Sequence, residues 1–289
     1  MGPADALIAW FDEHARDLPW RRPTAGPWGV LVSEVMLQQT PVARVEPVWY
    51  AWLARWPTPA ALAADPAGEA IRAWGRLGYP RRALRLHECA TAIVARHAGA
   101  VPDELDALLA LPGIGTYTAR AVAAFAFGQR QPVVDTNVRR VVARAVSGVA
   151  DAGPATTSAD LAAVSALLPV EPARAARASA AFMELGALVC TARTPRCGGC
   201  PLVTSCAWRL AGQPAPDGPT RRPQAYAGTD RQVRGLLLAV LRDATAPVPA
   251  ARLDVVWPDA VQRSRALTSL LDDGLVIALS GHRYGLPDR

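Results

Sequence analysis

Along most of this chain apolar residues recur every third or fourth position with polar residues between them, the period of an amphipathic helix. The pattern predicts helices over residues 5–16, 44–55, 68–75, 81–98, 103–110, 116–127, 136–147, 159–168 and 174–189. Proline and glycine punctuate them in "RWPTP", "LGYP", "LPGIG" and "GQRQP". No two-residue alternation stands out before about residue 275, and no fixed-period repeat is present. The stretch "AGQPAPDGPTRRPQAYAGTD" (211–230) lacks apolar periodicity and reads as a linker. Beyond it the pattern gives helices at 230–244, 250–256 and 259–273. Then comes "LVIALSGHRYGLP", which alternates and turns at Ser280–Gly281 like a hairpin. The expectation is an all-α region over 1–210, a linker over 211–230 and a small winged-helix-like domain over 231–289. A piece of that size is near the lower limit for independent folding, so it is expected to dock on the helical region.

Composition changes this picture in three ways. Of the 289 residues 51% are hydrophobic, enough for a full core. No apolar run approaches the roughly 20 residues of a membrane span. The first helical stretch carries Asp5, Asp12 and Glu13, unlike the basic start of a secretory signal, so the chain reads as cytosolic and its thiols as reduced. The net charge is +6, and all 31 basic residues are arginine, with no lysine anywhere. Arginines cluster at 21–22, 81–82, 139–140, 193 with 196, and 221–222. A GC-rich coding bias would give such a surface; so would a nucleic-acid-binding protein.

Four of the five cysteines, Cys190, Cys197, Cys200 and Cys206, fall within seventeen residues with gaps of six, two and five. Zinc knuckles favour two close Cys-x2-Cys pairs, and only the middle pair is close here. The irregular ring suits the four thiolate corners of one 4Fe-4S cluster, with zinc or unliganded thiols as alternatives. Cys89 lies in an amphipathic helix and reads as a small buried apolar residue.

The stretch "LPGIGTYTARAVAAFAFG" (111–128) ends one helix and starts another around Pro112, Gly113 and Gly115. Small residues there let turn amides and a helix N-terminus approach a phosphate; an ordinary helical corner is the bland alternative. About twenty residues on, in "VVDTNVRRV", Asp135 precedes a helix, where an N-cap is its ordinary role.

In this order, the hairpin, the following Asp and the four-cysteine loop resemble the helix-hairpin-helix DNA glycosylases of the endonuclease III superfamily, over about residues 5–210. The resemblance implies a two-lobed all-α fold that grips duplex DNA and flips a base out of the stack to cut its bond to the sugar. Within the superfamily, "LVSEVMLQQTPVARV" (31–45), "LPWRR" (18–22) and "FMELGALVCTARTPRC" (182–197) resemble the MutY-type adenine glycosylases. That resemblance implies Glu34 as the catalytic acid, Asp135 as the stabilising carboxylate, and Tyr117 and Asn137 as their orienting partners. It implies Trp20, Arg21 and Met183 as base-pocket residues. Gln38, Gln39, Leu111, Gly113 and Gly115 become DNA contacts, and the cysteines ligands of a 4Fe-4S cluster. Glu34 lies in an apolar stretch, "VLVSEVML", which favours burial and a raised pKa.

Strand-nicking relatives attack the sugar with a lysine amine, and the matching position here is Tyr117, in a chain without lysine. The expectation is therefore a monofunctional enzyme that hydrolyses adenine opposite 8-oxoguanine or guanine, acting as a monomer. Mismatched thymine or an oxidised pyrimidine is the alternative substrate, and a non-catalytic DNA-binding protein the distant one. Three departures from the family pattern stand out: Pro80 where a second Tyr commonly inserts into DNA, Ala180 where a polar residue is expected, and 59 C-terminal residues in place of a larger Nudix-like domain.

Overall fold

The computed structural model describes residues 3–153, 156–216 and 226–288, so part of the expected linker, 217–225, lies outside the described residues. The helices in chain order are α1 (Pro3–His14), α2 (Gly26–Leu37), α3 (Val42–Arg55), α4 (Pro59–Ala64), α5 (Ala67–Trp74), α6 (Arg81–His97), α7 (Leu105–Leu109), α8 (Thr116–Phe127), α9 (Thr136–Ala145), α10 (Ser158–Leu167), α11 (Pro172–Leu188), α12 (Ala207–Leu210), α13 (Asp230–Asp243), α14 (Ala250–Asp254) and α15 (Ala260–Asp272). Strands β1 (Val248–Pro249), β2 (Ile277–Leu279) and β3 (Arg283–Gly285) complete the fold. The chain divides into two compact units, one of Met1–Glu34, Asp103–Ala110 and Ile114–Thr220, the other of Val35–Pro102, Leu111–Gly113 and Arg221–Arg289.

Four elements depart from the periodic reading. Helix α2, "GPWGVLVSEVML", is buried without a break from Val30 to Met36. A helix apolar on every side has no polar stripe, so no period marks it. The six-residue α4 and four-residue α12 are too short for a period to accumulate. A strand also occurs before residue 275: β1 is two residues long, below the length at which alternation is visible.

In the first unit α11 is the central helix and packs against α1, α8 and α9. Its face is mostly alanine (Ala175, Ala178, Ala181), which lets Leu7, Phe11, Val138 and Val142 close on it with Phe182 and Leu185. Gly186 marks the closest approach: a Cβ there would lie 2.6 Å from the Cβ of Asn137 on α9. Caps fix the helix starts, Asp135 on α9 and a reciprocal Thr157–Asp160 capping box on α10.

In the second unit Trp52 on α3 lies edge-on to Trp56 and to Trp74 at the end of α5, at centroid distances of 4.6 and 5.7 Å. The C-terminal residues form three helices and a three-stranded antiparallel sheet of order β1-β3-β2, β1 falling between α13 and α14, with α13 on α15. The hairpin turn runs through Ser280–His282. This C-terminal segment packs on α5. The amide of Gly68 donates to the carbonyl of Pro287 at 2.6 Å. Arg72 donates to the carbonyls of Arg242 and Ala244, and Arg242 donates back to that of Ile71. A Cβ on Gly68 would meet Leu286 and Pro287 inside 3.0 Å, so glycine is what lets the C-terminal segment lie against the helix. No helix among the described residues is long and apolar enough to cross a membrane.

Candidate active site

The first unit gathers the carboxyls that the sequence singles out. Glu34 ends this unit's share of α2 and is 5% exposed. Burial drives its pKa from 4.5 up to about 7, against the hydrogen bond from the Tyr117 hydroxyl; the neighbouring Asp135 charge adds to the rise and the Arg21 guanidinium opposes it. Tyr117, on the first turn of α8, is itself held well above its usual pKa by burial and the two carboxyls, so it remains a donor.

Asp135 is an N-cap and a carboxylate beside Glu34 at once. One oxygen accepts from the amide of Val138 at 2.7 Å, the other from the side-chain amide of Asn137 at 2.8 Å. Burial raises its pKa and these hydrogen bonds oppose the rise. The Asn137 carbonyl oxygen accepts from Arg140 at 2.7 Å, and Arg140 also donates to the backbone carbonyls of Gly186 and Cys190. One helix, α9, therefore carries the carboxylate at its start and a guanidinium reaching the first cysteine a turn later.

Trp20 and Arg21 lie on a single 3-10 turn, Pro19–Arg21, with Trp20 buried. The Arg21 guanidinium lies 5.2 Å from the Phe11 ring centroid and donates to Glu184 at 2.8 Å. Met183 packs with Tyr117 against Ala121, Ala124, Val133 and Ala176, and Ala180 packs on the core. Gly115 is the extended N-cap of α8, with no side-chain cap, so the first amides of that exposed helix start have no side-chain acceptor.

The remaining expected contacts belong to the second unit. Gln39 is exposed in the left-handed region (φ 57°) and accepts from the Tyr79 hydroxyl at 2.8 Å; Tyr79 is left-handed too (φ 49°). Arg82 donates to the carbonyls of Val35, Met36 and Gln38, closing the end of α2. Pro80 is the N-cap of α6. Leu111 is buried, and Gly113 is left-handed (φ 75°) with the Arg85 side chain 2.7 Å from where a Cβ would stand.

Residues 32–165 match the family model of the HhH-GPD superfamily base excision DNA repair proteins. An adenine DNA glycosylase of Mycobacterium tuberculosis is 61% identical over 282 residues, covering 97% of this chain and 92% of that one. Its counterpart in Mycolicibacterium smegmatis is 62% identical, covering 97% and 94%. The chain belongs to the adenine DNA glycosylase family. A solved thermostable thymine-DNA glycosylase shares the fold at TM-score 0.65 and 25% identity, covering 72% of this chain and 95% of that one. The mycobacterial matches run on through the C-terminal domain, so these family members share the short C-terminal region.

The family assignment makes the cysteine loop a candidate cofactor site. Cys190, Cys197, Cys200 and Cys206 line one cavity with Arg144, Val189 and Trp208. Burial, with the other three cysteines, pushes the Cys200 thiol up to about 11. Arg144 spans the loop, its guanidinium 3.6 Å from the Cys190 sulfur, donating to the carbonyls of Thr191 and Ala192 and stacked 4.7 Å from Trp208. Among the described residues no three His, Cys, Asp or Glu side chains are grouped so as to hold a metal ion. Four soft donors around one cavity, with a cation beside the first, suit an anionic thiolate-bound group.

Sequence reasoning missed Glu184, which is 1% exposed and accepts from the Arg16 amide, both arms of the Arg16 guanidinium and Arg21. The two arginines hold its pKa down at about 2 against burial. The signal was present: "FMELGAL" sets one acid in an apolar helix segment, the same mark that singled out Glu34.

Proposed function

We propose that this DNA glycosylase hydrolyses adenine mispaired with 8-oxoguanine or guanine in duplex DNA, leaving an abasic site and an uncut strand. The observation that carries the reading is Glu34: a buried carboxyl with a pKa near 7, hydrogen-bonded to Tyr117 and beside Asp135, in a chain 61% identical to an adenine glycosylase. Adenine leaves readily only when protonated. Glu34 in its acid form gives its proton to N7, a step worth roughly 10²–10⁴ in rate. The bond from C1′ to N9 breaks, its electron pair goes to the base, and the sugar becomes oxocarbenium-like. Asp135, whose carboxylate oxygens accept from the Val138 amide and the Asn137 side chain, faces that positive charge. Water then adds to C1′ and returns its proton to the Glu34 carboxylate. Tyr117 orients Glu34, and Trp20, Arg21 and Met183 line the base pocket.

The amides at Gly115 and the start of α8 take a DNA phosphate, and Gln38, Gln39, Leu111 and Gly113 contact the duplex. Cys190, Cys197, Cys200 and Cys206 hold a 4Fe-4S cluster, which supplies a rigid cross-link for their loop. Residues 1–210 form the catalytic region, 211–230 a linker and 231–289 an accessory domain, in a cytoplasmic monomer acting on the chromosome. The test is single-turnover cleavage of duplexes carrying adenine, thymine or an oxidised pyrimidine opposite guanine, cytosine and 8-oxoguanine. Fast release of adenine opposite 8-oxoguanine or guanine alone is expected; faster release of thymine would overturn the substrate.

A further inference from the structure

We infer that Glu184 is a positioning residue for the acid: it fixes the Arg21 guanidinium in the field of the Glu34 carboxyl. The geometry is that of a clamp. Glu184 lies on α11, a residue beyond Met183, with its side chain 1% exposed. One carboxylate oxygen takes the Arg16 amide at 2.9 Å and the Arg16 Nε at 2.8 Å. The other takes Arg16 Nη2 at 2.9 Å and Arg21 Nη2 at 2.8 Å. Arg16 is thus held as a bidentate fork and a backbone donor, which pins the segment entering the 3-10 turn. The second oxygen is left to aim Arg21.

Among the described residues Arg21 has no other anchor of comparable strength. It makes one long hydrogen bond to the Arg16 carbonyl (3.3 Å) and lies over the Phe11 ring. Its side chain is 27% exposed, so without Glu184 it has water to turn to. A surface pair would fix little. This one is different because its acid is fully enclosed and shared by two cations, and removing one partner of such a set strongly rearranges the rest.

The groups that face Glu34 are Tyr117 on α8, Asp135 at the start of α9 and Arg21 on the 3-10 turn. Asp135 and Arg21 act on it in opposite senses; Asp135 is fixed as the N-cap of α9, whereas Arg21 is a partly exposed side chain held by Glu184. The role of Glu184 is to keep that opposition in place. This inference rests on Glu34 being the acid of base release.

The experiment is the pH profile of single-turnover adenine release by the holoprotein and its E184Q variant. Wild type should lose rate as pH rises through about 7, where Glu34 gives up its proton. A wild-type profile without that limb would undo the acid assignment itself, and so is distinguishable from a failure of the clamp. In E184Q, Arg21 turns to solvent and its lowering effect on Glu34 is lost. The limb should therefore move to higher pH, by on the order of half a unit. A loss of packing alone would scale the rate at every pH and leave the limb in place. A limb that stays put overturns the inference. So does one that moves down, because Arg21 would then have kept its place with its counter-charge gone. R21Q keeps the question open to test if E184Q fails to fold: it should move the limb up as far, and an unmoved limb in R21Q overturns the inference. The double variant should move it no further than either single change.

Discussion

Burying an acid where it is useful has a stability cost that can be measured, and Glu34→Gln isolates it. The Glu34 pKa rises from 4.5 to about 7 in the folded chain, with burial the largest cause. The sign follows from which state holds the proton. Between those values the unfolded chain has released the proton and the folded chain keeps it. Stability linked to Glu34 is therefore fully present below about 4.5 and is lost as pH rises through 7. The penalty in folding free energy is about 0.8 kcal/mol at pH 5 and about 3.3 kcal/mol at pH 8, a difference of ~2.5 kcal/mol. Gln at this position has no proton to lose and keeps the size and the partner for Tyr117. The variant should gain on wild type by that difference between the two pH values, or about 5 °C in Tm for a chain of this size. The assay is a pair of thermal melts, wild type and E34Q, at pH 5 and pH 8 on iron-loaded protein. At pH 8 the inactive variant should be the more stable one. A Tm difference that is the same at both pH values would mean Glu34 is not a buried acid with a raised pKa.

Asp135→Asn should cut base release by at least about 10²-fold while sparing DNA binding, and a leaving group that departs without N7 protonation should rescue Glu34→Gln but not Asp135→Asn. The purified protein should be brown with about four irons per chain, and Cys197→Ser or Cys200→Ser should lose iron and DNA binding together; one zinc per chain in an anaerobic preparation refutes the cluster. Borohydride with an abasic duplex should trap little covalent complex, and strand breaks should appear only after alkali or heat; efficient trapping at neutral pH would point to the terminal amine. Gly68→Ala places a Cβ 2.6 Å from the Pro287 carbonyl oxygen, so it should lower Tm and expose the C-terminal domain to protease; an unchanged digest refutes the docking role given to Gly68.

How much of this was legible in the sequence depended on what kind of signal each element carries. Nine amphipathic helices of the helical region were readable because one face of each meets water. Helix α2, which holds Glu34, was not readable by period, since Val30–Met36 is buried on every side. It was found by a motif and by the oddity of an acid among apolar residues. Asp135 could be placed ahead of a helix from the residues alone, and given a second role only through the family resemblance; the fold is what sets its charge beside Glu34. The four cysteines were legible by spacing, while the Arg140 and Arg144 contacts to their loop were not, because arginine spacing along a helix does not say which carbonyls it meets. Glu184 was passed over because its partners, Arg16 and Arg21, lie more than 160 residues away.

The arginines also decide what the site can do. Every cation that touches the gathered carboxyls and their partners is a guanidinium: Arg16 and Arg21 at Glu184, Arg140 at Asn137. Guanidinium is not deprotonated in proteins, so it orients and neutralises but does not attack carbon. A lysine in the same place would lower its pKa on burial and become a nucleophile. The hydroxyl at position 117, where an amine would make a strand-nicking enzyme, is pushed well above the usual tyrosine pKa and so stays a donor. In the proposed reaction each of these choices takes a competing nucleophile away from the sugar and leaves water. The same choices explain why two carboxyls are needed. With no amine to capture the sugar, the proposed reaction needs Asp135 to hold the oxocarbenium-like state until water adds and Glu34 to take the water's proton back. The proposed chemistry is thus specified as much by the lysines this sequence lacks as by the acids it keeps.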